Sequence, residues 1–203
     1  MRIHPTLTRQ CWLFAVGSTF FAVACAPRFP VLAGAGAANL LCFIGSWFFT
    51  TAGWMQLKLS DRSDETAEIE WYSAAVQFAG TVLFNVSTGA ALLMQSTGWR
   101  RHLVWTPDAV GSLAFLISGV LAVAALTVDS VRRDRLTTWL NMVGCLAFGV
   151  SAAAAFVRRS GVTEDAWLAN LGTFIGALCF LAAALLGLPR FREPGRSLRQ
   201  SAA

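Results

Sequence analysis

Four polar side chains stand inside or at the edge of otherwise apolar runs, where their chemistry must be either used or satisfied: Gln77, Asn85, Asn141 and Asp108. An amide surrounded by hydrocarbon has two roles open to it. It can hydrogen-bond a neighbouring helix, or it can line a path for a polar solute. Asn39 and Thr173 add further neutral groups of the same kind. No catalytic set accompanies them: there is no nucleophile with a base at a recognisable spacing, no pair of buried carboxylates and no phosphate-binding glycine loop. The two histidines, His4 and His102, flank the apolar runs. The five cysteines, Cys11, Cys25, Cys42, Cys145 and Cys179, lie in or beside those runs without a C-x-x-C pair. Metal, haem, iron–sulfur and disulfide chemistry therefore find no support, no cofactor is expected, and the chain reads as a non-enzyme.

The elements that must hold these groups follow from the charge pattern. Hydrophobic residues make up 56% of the 203 residues and charged ones 13%, the balance of a membrane protein. Lys, Arg, Asp and Glu are absent from six stretches, which predict an all-α, six-helix transmembrane bundle forming one integral membrane domain over 1–203. The spans are expected at about 11–27, 33–57, 71–95, 109–128, 136–157 and 167–188. The first, slightly short, also has the outline of a signal peptide: a basic start, a short apolar run and Ala-x-Ala at Ala24 to Ala26. It carries the same internal word as the other five, and is read as helix one on that ground.

That word is G-small-x-x-F-x-x-small. Its glycines are Gly17, Gly45, Gly80, Gly111, Gly144 and Gly176, and four residues on stand Phe21, Phe49, Phe84, Phe115, Phe148 and Phe180. A small residue follows each glycine, and another closes the word seven places on. At about 100° per residue these positions fall within roughly 60° of one another and form one stripe. In lipid, helices associate through close van der Waals contact, so the stripe reads as a packing face with the glycine as its notch. The glycines are 28, 35, 31, 33 and 32 residues apart, which points to a helix or helix pair copied within the chain, successive copies being inverted in the bilayer. Midway along each span stands the phenylalanine, which suits a packed core better than a wet route.

Basic residues fix the orientation. Eleven of the 16 Lys and Arg fall on the side of both termini and five on the other, which predicts cytoplasmic N and C termini and accounts for the net charge of +5 without nucleic acid. Thr106, Pro107 and Asp108 look like an N-cap, an N1 proline and an acidic first turn, so helix four is expected to begin there, with Asp108 solvated near the outer surface. Gln77 and Asn141 each precede a motif glycine by three residues, on spans that run the same way. Both are expected to be interhelical hydrogen-bonding clamps in the cytoplasmic half.

The "IGSWFF" word, with "VWTPDAVGSLAFLIS", "LNMVGCLAFGVSA" and "NLGTFIGALCFL", resembles the YrhK-like domain of small bacterial membrane proteins. The resemblance implies a multi-pass protein of the bacterial inner membrane and transfers no reaction, ligand or catalytic residue. Two functions follow from the residues. A structural or interaction component, partnered by lipid and by itself or another membrane protein, fits the uniform packing stripe. The alternative is a small transporter or channel with inverted repeats, in which the intramembrane amides would line the path.

Overall fold

The computed structural model describes residues 4–93, 97–128, 130–157 and 163–189. Extended backbone at Thr6, whose hydroxyl accepts from the Arg9 amide at 3.3 Å, starts α1 (Leu7–Ala24). A left-handed Arg28 and the one-turn α2 (Phe29–Ala33) lead to Gly34, whose φ of 86° breaks the chain before α3 (Ala35–Leu59). Asp64 accepts from the Ala67 amide at 2.9 Å and opens α4 (Glu65–Leu93), with Glu65 and Glu68 in its first turn. The next helical run is α5 (Thr97–Trp99), a π-helical segment (Arg100–Trp105) and α6 (Thr106–Ala124). Then come α7 (Arg132–Ala154) and α8 (Ala166–Gly187), the latter capped by Asp165 on the Leu168 amide at 2.9 Å. Among the described residues there is no strand, only an isolated bridge between Val157 and Thr163.

These bounds correct two expectations. Helices α4 and α7 reach back through their charged first turns to Glu65 and Arg132, because acidic and basic side chains at a water-facing end do not interrupt a helix. Helix four does not begin at Thr106. Trp105, the residue before α6, is itself α-helical, and the backbone continues through wide π turns, with the Thr106 hydroxyl donating to the Arg101 carbonyl at 2.9 Å.

Six helices, α1, α3, α4, α6, α7 and α8, pack in a closed cycle: α1 on α3, α3 on α4, α4 on α6, α6 on α7, α7 on α8, and α8 back on α1. The inside of this cycle holds six buried phenylalanines between small residues, with Ser18, Ser46, Thr81, Ser112 and Ser118 almost wholly buried. The outside is large and aliphatic: Leu113, Ile117 and Val120 on α6, Val143, Leu146 and Val150 on α7, and Ile175, Leu178 and Leu185 on α8 are all exposed. Water would not tolerate that surface, whereas hydrocarbon requires it. Five helical runs, Ala35–Leu59, Glu65–Leu93, Arg100–Ala124, Arg132–Ala154 and Ala166–Gly187, are long and apolar enough to cross a bilayer. The chain is a multi-pass membrane protein. Helix α1 is shorter, at 18 residues, and carries Arg9 and Gln10 in its first turns, but it buries Ala15, Gly17, Ser18 and Phe21 in the cycle like its neighbours.

Two polar ties fasten the ends where the helices start and finish. Arg133, in the first turn of α7, donates to the Leu186 carbonyl at 2.5 Å and also to the Leu188 carbonyl, satisfying acceptors that the last turn of α8 leaves open. In the α3–α4 turn the exposed Arg62 bonds Glu68 at 2.8 Å and lies 4.6 Å over the Trp71 ring. The Glu68 carboxylate raises the basicity of that guanidinium above its ordinary value.

Candidate functional site

The six motif glycines meet the six motif phenylalanines reciprocally, in three pairs of helices. A Cβ placed on Gly17 would lie 2.6 Å from the Phe49 ring, and one on Gly45 3.2 Å from the Phe21 ring. On α4 and α6, Gly80 faces Phe115 and Gly111 faces Phe84, both at 2.8 Å by the same measure. On α7 and α8, Gly144 faces Phe180 at 2.5 Å and Gly176 faces Phe148 at 2.7 Å. Each glycine also abuts its partner glycine's carbonyl oxygen, 3.0–3.2 Å from the same notional Cβ. No side chain larger than hydrogen fits between backbones this close.

Reciprocal notches direct all six rings to one level at the centre of the cycle. Phe84 stacks on Phe115 with centroids 5.0 Å apart, and Phe148 stacks on Phe180 at 5.3 Å. Phe21 meets Phe49 edge-on at 5.5 Å. Further contacts link the pairs, among them Phe84 to Phe148 at 5.6 Å and Phe49 to Phe180 at 5.9 Å. The void left between five of these rings is about 10 Å³ and has no polar lining, so the layer is a dry plug.

A cavity opens on each side of the plug. One, of about 220 Å³, lies at the end where α1, α4 and α7 begin, here termed the near end. Its floor is Phe14, Phe49 and Phe180, and its walls carry Gln10, Gln56, Ser73, Gln77, Thr137 and Asn141. The other, of about 300 Å³, lies at the far end with Phe21 and Phe84 as its floor. Asn39, Thr88, Asp108, Asn170 and Thr173 line it, with Arg100 and Trp105 from the run that enters α6. Cys25 and Cys42 face the same space as free thiols. No family model, curated protein or solved structure matches this chain.

The four polar candidates therefore have different roles. Asn85 is the strong clamp: its carbonyl oxygen accepts from Ser46 at 2.5 Å and its amide donates to Thr50 at 2.5 Å, tying α4 to α3. Gln77 accepts from Ser118 of α6 at 3.3 Å and also borders the near cavity. Asn141 is no interhelical clamp. Among the described residues its one side-chain hydrogen bond is to Cys145 Sγ on its own helix at 3.9 Å, and it lines the near cavity, across which Gln10, Gln56, Ser73 and Gln77 stand on other helices without bonding it. Asp108 is half-buried in the far cavity rather than solvated at the surface, since the helix extends well beyond it. The cavity-lining Gln10, Gln56 and Asn170 escape a reading by span because each lies near a helix end, where polar residues are ordinary.

A stability difference follows from these partners. Asn85→Leu removes two interhelical hydrogen bonds, leaving Ser46 its bonds to Phe43 and Thr88 and Thr50 its bond to Thr81, and is expected to cost about 1–3 kcal/mol. Asn141→Leu should leave thermal unfolding in detergent nearly unchanged. Equal melting temperatures for the two variants would show that the Asn85 bonds contribute nothing.

Proposed function

We propose that this protein is a six-span component of the bacterial inner membrane that passes a small polar solute through a phenylalanine constriction. A single observation carries the reading: two cavities with amide and hydroxyl side chains in their walls, entered from opposite ends, terminate on the same six-ring layer. A purely structural bundle needs the glycine–phenylalanine contacts, but it gains nothing from amides held against empty space at both ends. The three tight pairs do favour a scaffold as the second reading, in which partners would dock on the aliphatic exterior.

In the proposed arrangement α1 crosses the membrane with the five longer helices. The near end, where α1, α4 and α7 begin, is cytoplasmic, as the eleven-to-five distribution of basic residues requires. The three reciprocal pairs are copies of one helical hairpin about a pseudo-threefold axis along the membrane normal, each hairpin holding two inverted helices. A YrhK-like affiliation belongs to the same proposal and brings no reaction with it.

Proteoliposomes test the function. Uptake of radiolabelled urea, glycerol or ethylammonium above that of empty liposomes supports passage; no flux of any of them by folded protein returns the scaffold. Reporter fusions test the topology: a phosphatase at the C terminus should be inactive and one in the α7–α8 loop active, and the reverse pattern would invert the assignment of the ends.

A further inference from the structure

The lining of the far cavity includes one carboxylate, and among the described residues it has no hydrogen-bond or ion-pair partner. Asp108 is the sole acidic residue of the lining. Among the described residues no ion pair reaches it, the one salt bridge being that of Arg62 with Glu68, and none of the side-chain hydrogen bonds ends on it. Residues at such a depth in a membrane protein are normally neutral or paired, since a lone charge there loses hydration without compensation. Arg100 does not supply the compensation. It stands eight residues earlier on the same helical run, and among the described residues no ion pair joins the two. The other titratable groups of the lining, Cys25 and Cys42, are free thiols and carry no positive charge.

The surroundings of Asp108 are those that receive an organic cation. Phe21 and Phe84 line the cavity floor and Trp105 its wall, and aromatic rings beside a carboxylate favour a cation that carries apolar carbon. Asn39, Thr88 and Thr173 can accept further N–H bonds. A hard metal ion would need several anionic or carbonyl ligands at one point, and no group of three His, Cys, Asp or Glu exists among the described residues. The near cavity, by contrast, has no acidic side chain in its lining. A volume of about 300 Å³ stands at the small end of the range for small-molecule pockets.

We propose that the far cavity binds a small organic ammonium ion, with Asp108 as its counter-charge and the phenylalanine layer as its floor. The proposal names the solute class of the passage reading and rests on that reading for its role in transport; binding itself is measured without flux. Full-length protein in detergent is titrated with ethylammonium chloride, with ethanol as the neutral isostere and with potassium chloride, by calorimetry and by tryptophan fluorescence. Saturable binding of ethylammonium alone is expected, weakened at least tenfold in Asp108→Asn and restored in Asp108→Glu. Should Asp108→Asn fail to fold, the wild-type comparison of ethylammonium with ethanol still decides. Equal binding of the two, equal binding of potassium, or an unchanged affinity in Asp108→Asn overturns the proposal. Ammonium binding without flux in proteoliposomes would retain this site and reject passage, whereas flux of urea or glycerol without ammonium binding would retain passage and reject the site.

Discussion

Gly144→Leu is expected to abolish the folded state in mild detergent, or at least to lower stability by more than about 3 kcal/mol. Overpacking in an ordinary core costs about 1–3 kcal/mol because side chains shift aside. Here the first atom added already meets the Phe180 ring at 2.5 Å and the Gly176 carbonyl oxygen at 3.2 Å. The ring has nowhere to go, being packed between Phe148, Phe115 and Phe49 with centroids 5.3, 5.9 and 5.9 Å away. The carbonyl belongs to backbone and moves only if α7 and α8 separate. Gly36→Leu is the control, since nothing lies within 4 Å of a Cβ at that exposed position. Fluorescence-detected size exclusion and thermal unfolding measure both. Comparable tolerance of leucine at the two glycines would refute close backbone packing as the source of the pair's stability.

The reason such a prediction can be made at one residue lies in the repeated word. Glycine, small residue and phenylalanine at fixed offsets on each of six runs are visible in the sequence, and so is the face they share. Which helices pair is not visible there, because every copy is chemically equivalent to every other; only the chain's turns bring α1 to α3, α4 to α6 and α7 to α8. Asn85 and Asn141 show the same limit. Each is an amide one turn or so from its motif glycine, and what separates them is the opposite helix: α3 presents Ser46 and Thr50 at the level of Asn85, while an open cavity lies beside Asn141.

Asp108 fails for a local reason. Thr-Pro-Asp is a sound helix-start pattern, but Arg100–Trp105 forms π turns that pass straight into α6, and the Thr106 amide and hydroxyl both reach the Arg101 carbonyl. The missing N–H of Pro107 is thereby absorbed inside a continuous helical run instead of marking its beginning. The consequence is functional: a carboxylate expected in water is carried below the mouth of a cavity. The cavities themselves were beyond sequence reading. Helices drawn together at one level by glycine diverge away from it when they cross at an angle, and the width of the gap depends on that angle.

Phe148→Ala is expected to weaken the bundle and open the barrier in the same molecule. Phe148 is 3% exposed and touches four other rings: Phe180 at 5.3 Å, Phe84 at 5.6 Å, Phe115 at 6.1 Å and Phe21 at 6.2 Å. Removing it should cost about 3–5 kcal/mol of stability, the usual range for a buried phenylalanine cut to alanine. It also joins the void between the rings to the far cavity, whose floor is Phe21 and Phe84, and to the near one, whose floor includes Phe180. If the plug is the resistance to passage, lowering its barrier by about 1.4 kcal/mol raises flux tenfold. Proteoliposomes holding equal amounts of folded protein should therefore show faster solute entry with Phe148→Ala than with wild type, and an intermediate rate with Phe148→Leu, which keeps more of the volume. The surface variant Trp139→Leu, at an exposed position on the same helix, should leave the rate unchanged. A lower melting temperature with no change in flux would assign the six rings to helix packing alone, because a barrier that survives the loss of its most connected ring lies elsewhere.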